Sequence, residues 1–142
     1  MLWDSPLWAF REFAMKNETK TDSLKIGSIV IRCYEFERMA AFWREALHYV
    51  PKYPPEEDWV LLHNPAGGGP NLALDRAPHK RIGKRSWLHL DLYAGDAERE
   101  VDRLISLGAT RYPWRYPDDA DYVVLEDPDG NLFCVIYKAA DS

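Results

Sequence analysis

Ser86–Gly108 reads SWLHLDLYAGDAEREVDRLISLG, and within it one periodicity gives way to another. From Ser86 to Tyr93 the residues alternate. Leu88, Leu90 and Leu92 share one face, and Trp87, His89, Asp91 and Tyr93 share the other. A period of two predicts a strand with one buried face. From Asp96 to Leu107 the spacing changes: Ala97, Val101, Leu104 and Ile105 fall on one side of a helix. Gly108 can end that helix in a left-handed conformation.

Working outward, the same statement occurs twice. Leu24–Cys33 predicts a strand. Glu35–Leu47 predicts a helix through Phe36, Met39, Ala40, Phe42, Trp43 and Leu47. Ser28 lies as far before Glu35 as His89 lies before Asp96. Trp59–Pro65 aligns with Tyr122–Pro128. With three residues inserted in the first turn, Asn71–Leu74 aligns with Asn131–Cys134 and sets Leu74 opposite Cys134. Pro51 and Pro54 weaken a strand expected over Tyr49–Tyr53, and Ala109–Tyr116 reads as a short strand and loop. The fold class expected is α+β: paired βαβββ modules, 24–80 and 86–138, forming a curled mixed sheet around a central cleft with the helices outside. Within the main body, 24–142, alternate side chains of each strand would line that cleft.

Composition limits what such a domain does. The 142 residues are 46% hydrophobic and 29% charged, enough for one core and a polar surface. No apolar run reaches membrane length. A net charge of -5 argues against a nucleic-acid partner. Cys33 and Cys134 form no CxxC motif and read as buried thiols of a reducing, cytoplasmic compartment. Residues 1–23 form an N-terminal extension in which Ser5-Pro6 can start a short aromatic helix carrying Trp3, Leu7, Trp8, Phe10 and Phe13. It lacks the pattern of a secretory leader, and Met15 offers an alternative start.

Four stretches resemble one family. Ala41-Phe42-Trp43 resembles the aromatic signature of its first helix. His89-Leu90-Asp91-Leu92 resembles the start of its second module, Gly108-Ala109 the end of that module's helix, and Asp127–Cys134 its closing hairpin. The family is the vicinal oxygen chelate superfamily, with its glyoxalase-like and bleomycin-resistance-like domains. The resemblance implies paired βαβββ modules, a homodimer, and one divalent metal held from the first and last strands of both modules. Carried across, those positions are Ser28, Leu74, His89 and Cys134. Leucine cannot ligate and serine ligates weakly, so no metal and no cofactor are expected. The open alternative is an atypical site at His89 and Cys134 completed by His63 or Asp91.

Candidate ligand-binding residues are Arg32, Trp87, His89, Asp91, Tyr93 and Trp114. His89 can act as a base near neutral pH, with Asp91 on the same strand face, and these two are the catalytic candidates. Arg32 shares parity with Ser28 and can meet Asp91 or an acidic ligand. Trp87, which shares the cleft face with His89, and Trp114 suit a flat ligand, and they also suit a core or a dimer interface. His79–Arg81 with Lys84-Arg85 reads as a solvated linker that can also flank the cleft mouth and attract an anion. The expectation is a metal-free binding protein for an aromatic or heterocyclic small molecule. The alternative is a lyase, isomerase or dioxygenase-type enzyme using the same cleft. Neither reading calls for a membrane or nucleic-acid partner.

Overall fold

β1 (Ser28–Cys33) leads into α1 (Phe36–Leu47), and the chain returns through β2 (Val50–Pro51), β3 (Trp59–His63) and β4 (Asn71–Arg76). The second module repeats this as β5 (Leu90–Ala94), α2 (Ala97–Leu107), β6 (Thr110–Arg111), β7 (Tyr122–Glu126) and β8 (Leu132–Tyr137). The computed structural model describes residues 25–82 and 88–138. Trp87 and the proposed N-terminal helix therefore lie outside the described residues.

Each module is βαβββ, as the repeat predicts, but the expected single curled sheet is not formed. There are two separate four-stranded sheets, ordered β1-β4-β3-β2 and β5-β8-β7-β6. Among the described residues no strand of one pairs with a strand of the other. Among the described residues β1 and β5 are each an edge strand, paired on one side only, in parallel with β4 and β8. A pocket lined by residues of β1, β5 and β8 occupies the space between them.

The two shortest strands lie beside prolines, although Lys52 N and Tyr112 N still donate to Leu61 O and Val124 O just beyond them. β2 is two residues long and includes Pro51, and β6 is two residues long and stops before Pro113. α2 is capped locally, with the Asp96 carboxylate accepting from Arg99 N at 3.1 Å. α1 has no side-chain cap of its own. At its entry Asp129 Oδ1, from the other module, accepts from Tyr34 N at 3.1 Å and Glu35 N at 2.8 Å. At its exit Arg103 of α2 donates to Glu45 O at 3.0 Å and Ala46 O at 2.8 Å. Both ends of α1 are thus finished by module two.

The core is common to both modules. Phe42 and Trp43 of α1 meet Phe133 of β8, with the Trp43 and Phe133 ring centroids 5.2 Å apart. Leu62, Leu74, Leu125 and Val135 belong to the same buried cluster.

Candidate functional site

The strand registers decide which side chains share the faces turned away from the helices. In module one Leu72, Leu74, Val60 and Leu62 belong to the core. Alternation therefore puts Ser28, Val30, Arg32, Ala73, Asp75 and Trp59 on the opposite face. In module two Leu90, Leu92, Phe133 and Val135 face the core, which leaves His89, Asp91, Tyr93 and Cys134 on the other side. Trp59 pairs with Asp75, and its counterpart Tyr122 pairs with Ile136. Val30 pairs with Ala73, and its counterpart Asp91 pairs with Cys134. The residue equivalent to Cys134 is therefore Ala73. Leu74 is wholly buried against α1, and its assignment is corrected by one position. The cause lies in the hairpins: loop 64–70 exceeds loop 127–131 by two residues, where the sequence alignment inserted three.

The consequence is chemical. Ser28 offers only a neutral hydroxyl and Ala73 has no donor atom, so the equivalent positions of module one lack the imidazole and anionic ligands of a metal site shared between modules. The donor set does not fit the family arrangement. Module two has a set of its own. One ligand atom each from His89, Asp91 and Cys134 lies within 4.8 Å of the others, and these three form a candidate metal-binding triad. His89 Nε2 stands 3.1 Å from Asp91 Oδ1. Cys134 is brought to them by the parallel β5–β8 pairing, which sets it beside Asp91. Burial, and then the Asp91 charge, push the Cys134 thiol pKa up. A bound cation would reverse that balance and favour the thiolate.

Beside the triad lies a pocket of about 280 Å³. It runs between the unpaired edges of β1 and β5 down to Trp43 and Phe133. Ile29, Ile31, Leu88, Leu90 and Leu132 make it apolar, and Arg32, Arg81 and His89 bring polar groups to it. His89 thus belongs to both triad and pocket. Arg32 does not reach Asp91 as an ion-pair partner; it pairs with Asp75, Nε to Oδ2, at 3.4 Å. Asp75 is buried, and its Oδ2 makes no hydrogen bond, nor does the buried Trp59 Nε1 across the β3–β4 ladder.

The remaining candidates fall elsewhere. Tyr93 is exposed on another cavity, under Lys138 Nζ at 5.5 Å. Trp114 is not among the pocket's lining residues; its Nε1 donates to Tyr122 Oη at 3.3 Å and its ring lies against Tyr112.

Sequence reasoning missed Asp127, Asn131 and Trp43 as pocket residues. Asp127 is buried, and its oxygens accept from Asp129 N at 2.9 Å, Asn131 N at 2.9 Å, Asn131 Nδ2 at 3.0 Å and Trp43 Nε1 at 3.3 Å. Desolvation raises its pKa against the lowering effect of these donors. The signal available was the turn Asp127–Asn131, whose first acid commonly gathers local amides, together with a buried indole that needs an acceptor.

Two paired βαβββ modules with a pocket between them are the fold of the glyoxalase and bleomycin-resistance class. Residues 28–136 match the family described as Glyoxalase-like domain, and the chain belongs to it. Solved structures agree in fold. A glyoxalase/bleomycin resistance protein/dioxygenase family enzyme from Burkholderia phytofirmans PsJN is 16% identical with a TM-score of 0.65, over 80% of this chain and 98% of that one. TnmS3, an antibiotic binding protein from Streptomyces sp. CB03234, is 19% identical with a TM-score of 0.59, over 84% and 99%. The trypanothione-dependent glyoxalase I of Leishmania major is 16% identical with a TM-score of 0.60, over 81% and 87%. At these identities the likeness is one of fold alone. No curated protein sequence matches the chain. Among the described residues no helix is long and apolar enough to cross a membrane.

Proposed function

We propose that this chain is an enzyme acting on a small molecule held in the pocket between its modules, with an atypical divalent-metal site in module two. The observation that carries the reading is the convergence of His89, Asp91 and Cys134 beside that pocket, with His89 common to both. Three protein ligands with one place left open is the arrangement of a catalytic rather than a structural zinc-type site. Bound there, a divalent ion would supply Lewis-acid polarisation of a ligand oxygen.

The chain's own residues have definable parts. With no ion bound, Asp91 can accept from His89 Nε2–H, hold the ring in that tautomer and leave the Nδ1 lone pair free to take a proton; with an ion bound, His89 and Asp91 would serve as its ligands instead. Arg32, anchored by Asp75, offers a fixed positive charge to the ligand. The reading places the protein in a reducing compartment, where Cys134 stays a thiol, and it includes a homodimer by family likeness.

The experiment is a cobalt(II) titration of the full chain, followed by the thiolate-to-metal absorption. The expected result is saturation at one ion per chain, with the band abolished in Cys134→Ser and binding about tenfold weaker in His89→Ala. Affinity should rise with pH, because binding must remove the thiol proton. A flat titration sinks the metal site. A second reading, a metal-free binding protein, then takes its place. It is favoured by the apolar walls of the pocket.

A further inference from the structure

The pocket's walls and its charges belong to different parts of a ligand. Its floor is Trp43 and Phe133, and its sides are Ile29, Ile31, Leu88 and Leu90. Such a surface takes an apolar or aromatic body. The formal charges are offset by Asp75, Asp127 and the nearby Asp91, but the hydrogen-bond donors are left over. Arg32 and Arg81 both line the pocket, and both are exposed. Arg32 uses Nε on Asp75, while its Nη1 and Nη2 make no hydrogen bond or ion pair among the described residues. Arg81 has no acidic partner among them either.

The one carboxylate in the lining, Asp127, is buried beneath donors from Trp43, Asp129 and Asn131. Its oxygens are committed to those donors, and among the described residues it forms no ion pair with either arginine. Asp75 is buried behind Arg32 and acts as its anchor. A chain with net charge -5 therefore keeps two cationic groups with spare donors around an apolar hole. Guanidinium groups match carboxylates and related oxyanions in geometry as well as in charge.

We infer that the ligand of this pocket is an apolar organic anion, an aryl or alkyl body ending in a carboxylate or similar oxyanion. The charge is met by Arg32 and Arg81, and Asp75 is the positioning residue for Arg32. This rests on the reading that the pocket is the ligand site, and it adds the ligand's chemical class.

The test is calorimetric binding of two probes, 4-phenylbutyrate and its uncharged amide, to the full chain at low salt. A chelator is present so that no metal contributes. The carboxylate should bind about tenfold more tightly than the amide, and that advantage should shrink as sodium chloride is added. Arg32→Gln and Arg81→Gln should each weaken the carboxylate about threefold to tenfold and leave the amide within about twofold. Because Arg32→Gln strands a buried carboxylate, the paired variant Arg32→Gln/Asp75→Asn is measured beside it and should behave alike. Equal affinities for the two probes, or equal loss of both in the arginine variants, would overturn the anion inference and leave the pocket as a ligand site. Binding of neither probe would overturn the pocket reading and this inference with it.

Discussion

The two modules share a topology and differ in what they place on the face away from their helices. Module one presents Ser28, Val30, Ala73 and an Arg32–Asp75 pair. Module two presents His89, Asp91 and Cys134 at the equivalent heights. One face carries small residues and an ion pair with a buried carboxylate and an exposed guanidinium, while the other gathers three titratable donors. The two scaffolds repeat, and their chemistry is lopsided. The fold alone does not specify a shared metal site; the residues at two positions on each sheet do.

The asymmetry does not make the modules independent, and the largest expected effect tests this. Trp43 of α1 is fully buried, touches Phe133 and donates to Asp127, both in module two. Trp43→Ala should cost about 3–5 kcal/mol in denaturant unfolding while keeping one cooperative transition. Two resolved transitions would break the picture of a common core. A smaller effect sharpens the same point. Asp129→Ala removes the acceptor at the entry to α1 and should cost about 1–2 kcal/mol, although the residue lies far from that helix in sequence. No measurable loss would show that the modules do not finish each other's helices.

The two cysteines separate the faces chemically. Cys33 is 1% exposed, and burial, followed by nearby carboxylates, pushes its pKa up to about 12. Its neutral thiol is favoured by folding. The corresponding stability is complete below the unfolded thiol's range near pH 9 and is lost as pH rises from there toward 12. In a thiol-reagent assay of the native chain at pH 8, the half-buried Cys134 should react first. Cys33 should react only on unfolding. Reversal of that order would contradict the assigned faces. The smallest effect belongs to Tyr93→Ala on the exposed rim, which should change stability by less than about 0.5 kcal/mol.

Much of this was legible in the sequence because period two and period 3.6 alternate cleanly in both halves. His89 and Asp91 were visible as neighbours on one face for the same reason. The register was harder. Gly67, Gly68 and Gly69 all take positive φ, and a run of such residues gives no apolar pattern by which to count, so Leu74 was placed where Ala73 stands. Cys134 read as packing because its partners arrive from another strand through a parallel pairing. The open gap between β1 and β5 was not legible either. Whether two edges meet in a ladder or stand apart around a pocket depends on side chains drawn from four separate elements.

The central claim is that module two alone carries the metal-binding donors. The most direct measurement is zinc retained per chain after exhaustive dialysis, for the wild type, Ser28→Ala and Cys134→Ala. The account predicts about one ion for the wild type and for Ser28→Ala, and close to none for Cys134→Ala. Loss of the ion in Ser28→Ala, or retention in Cys134→Ala, would contradict it.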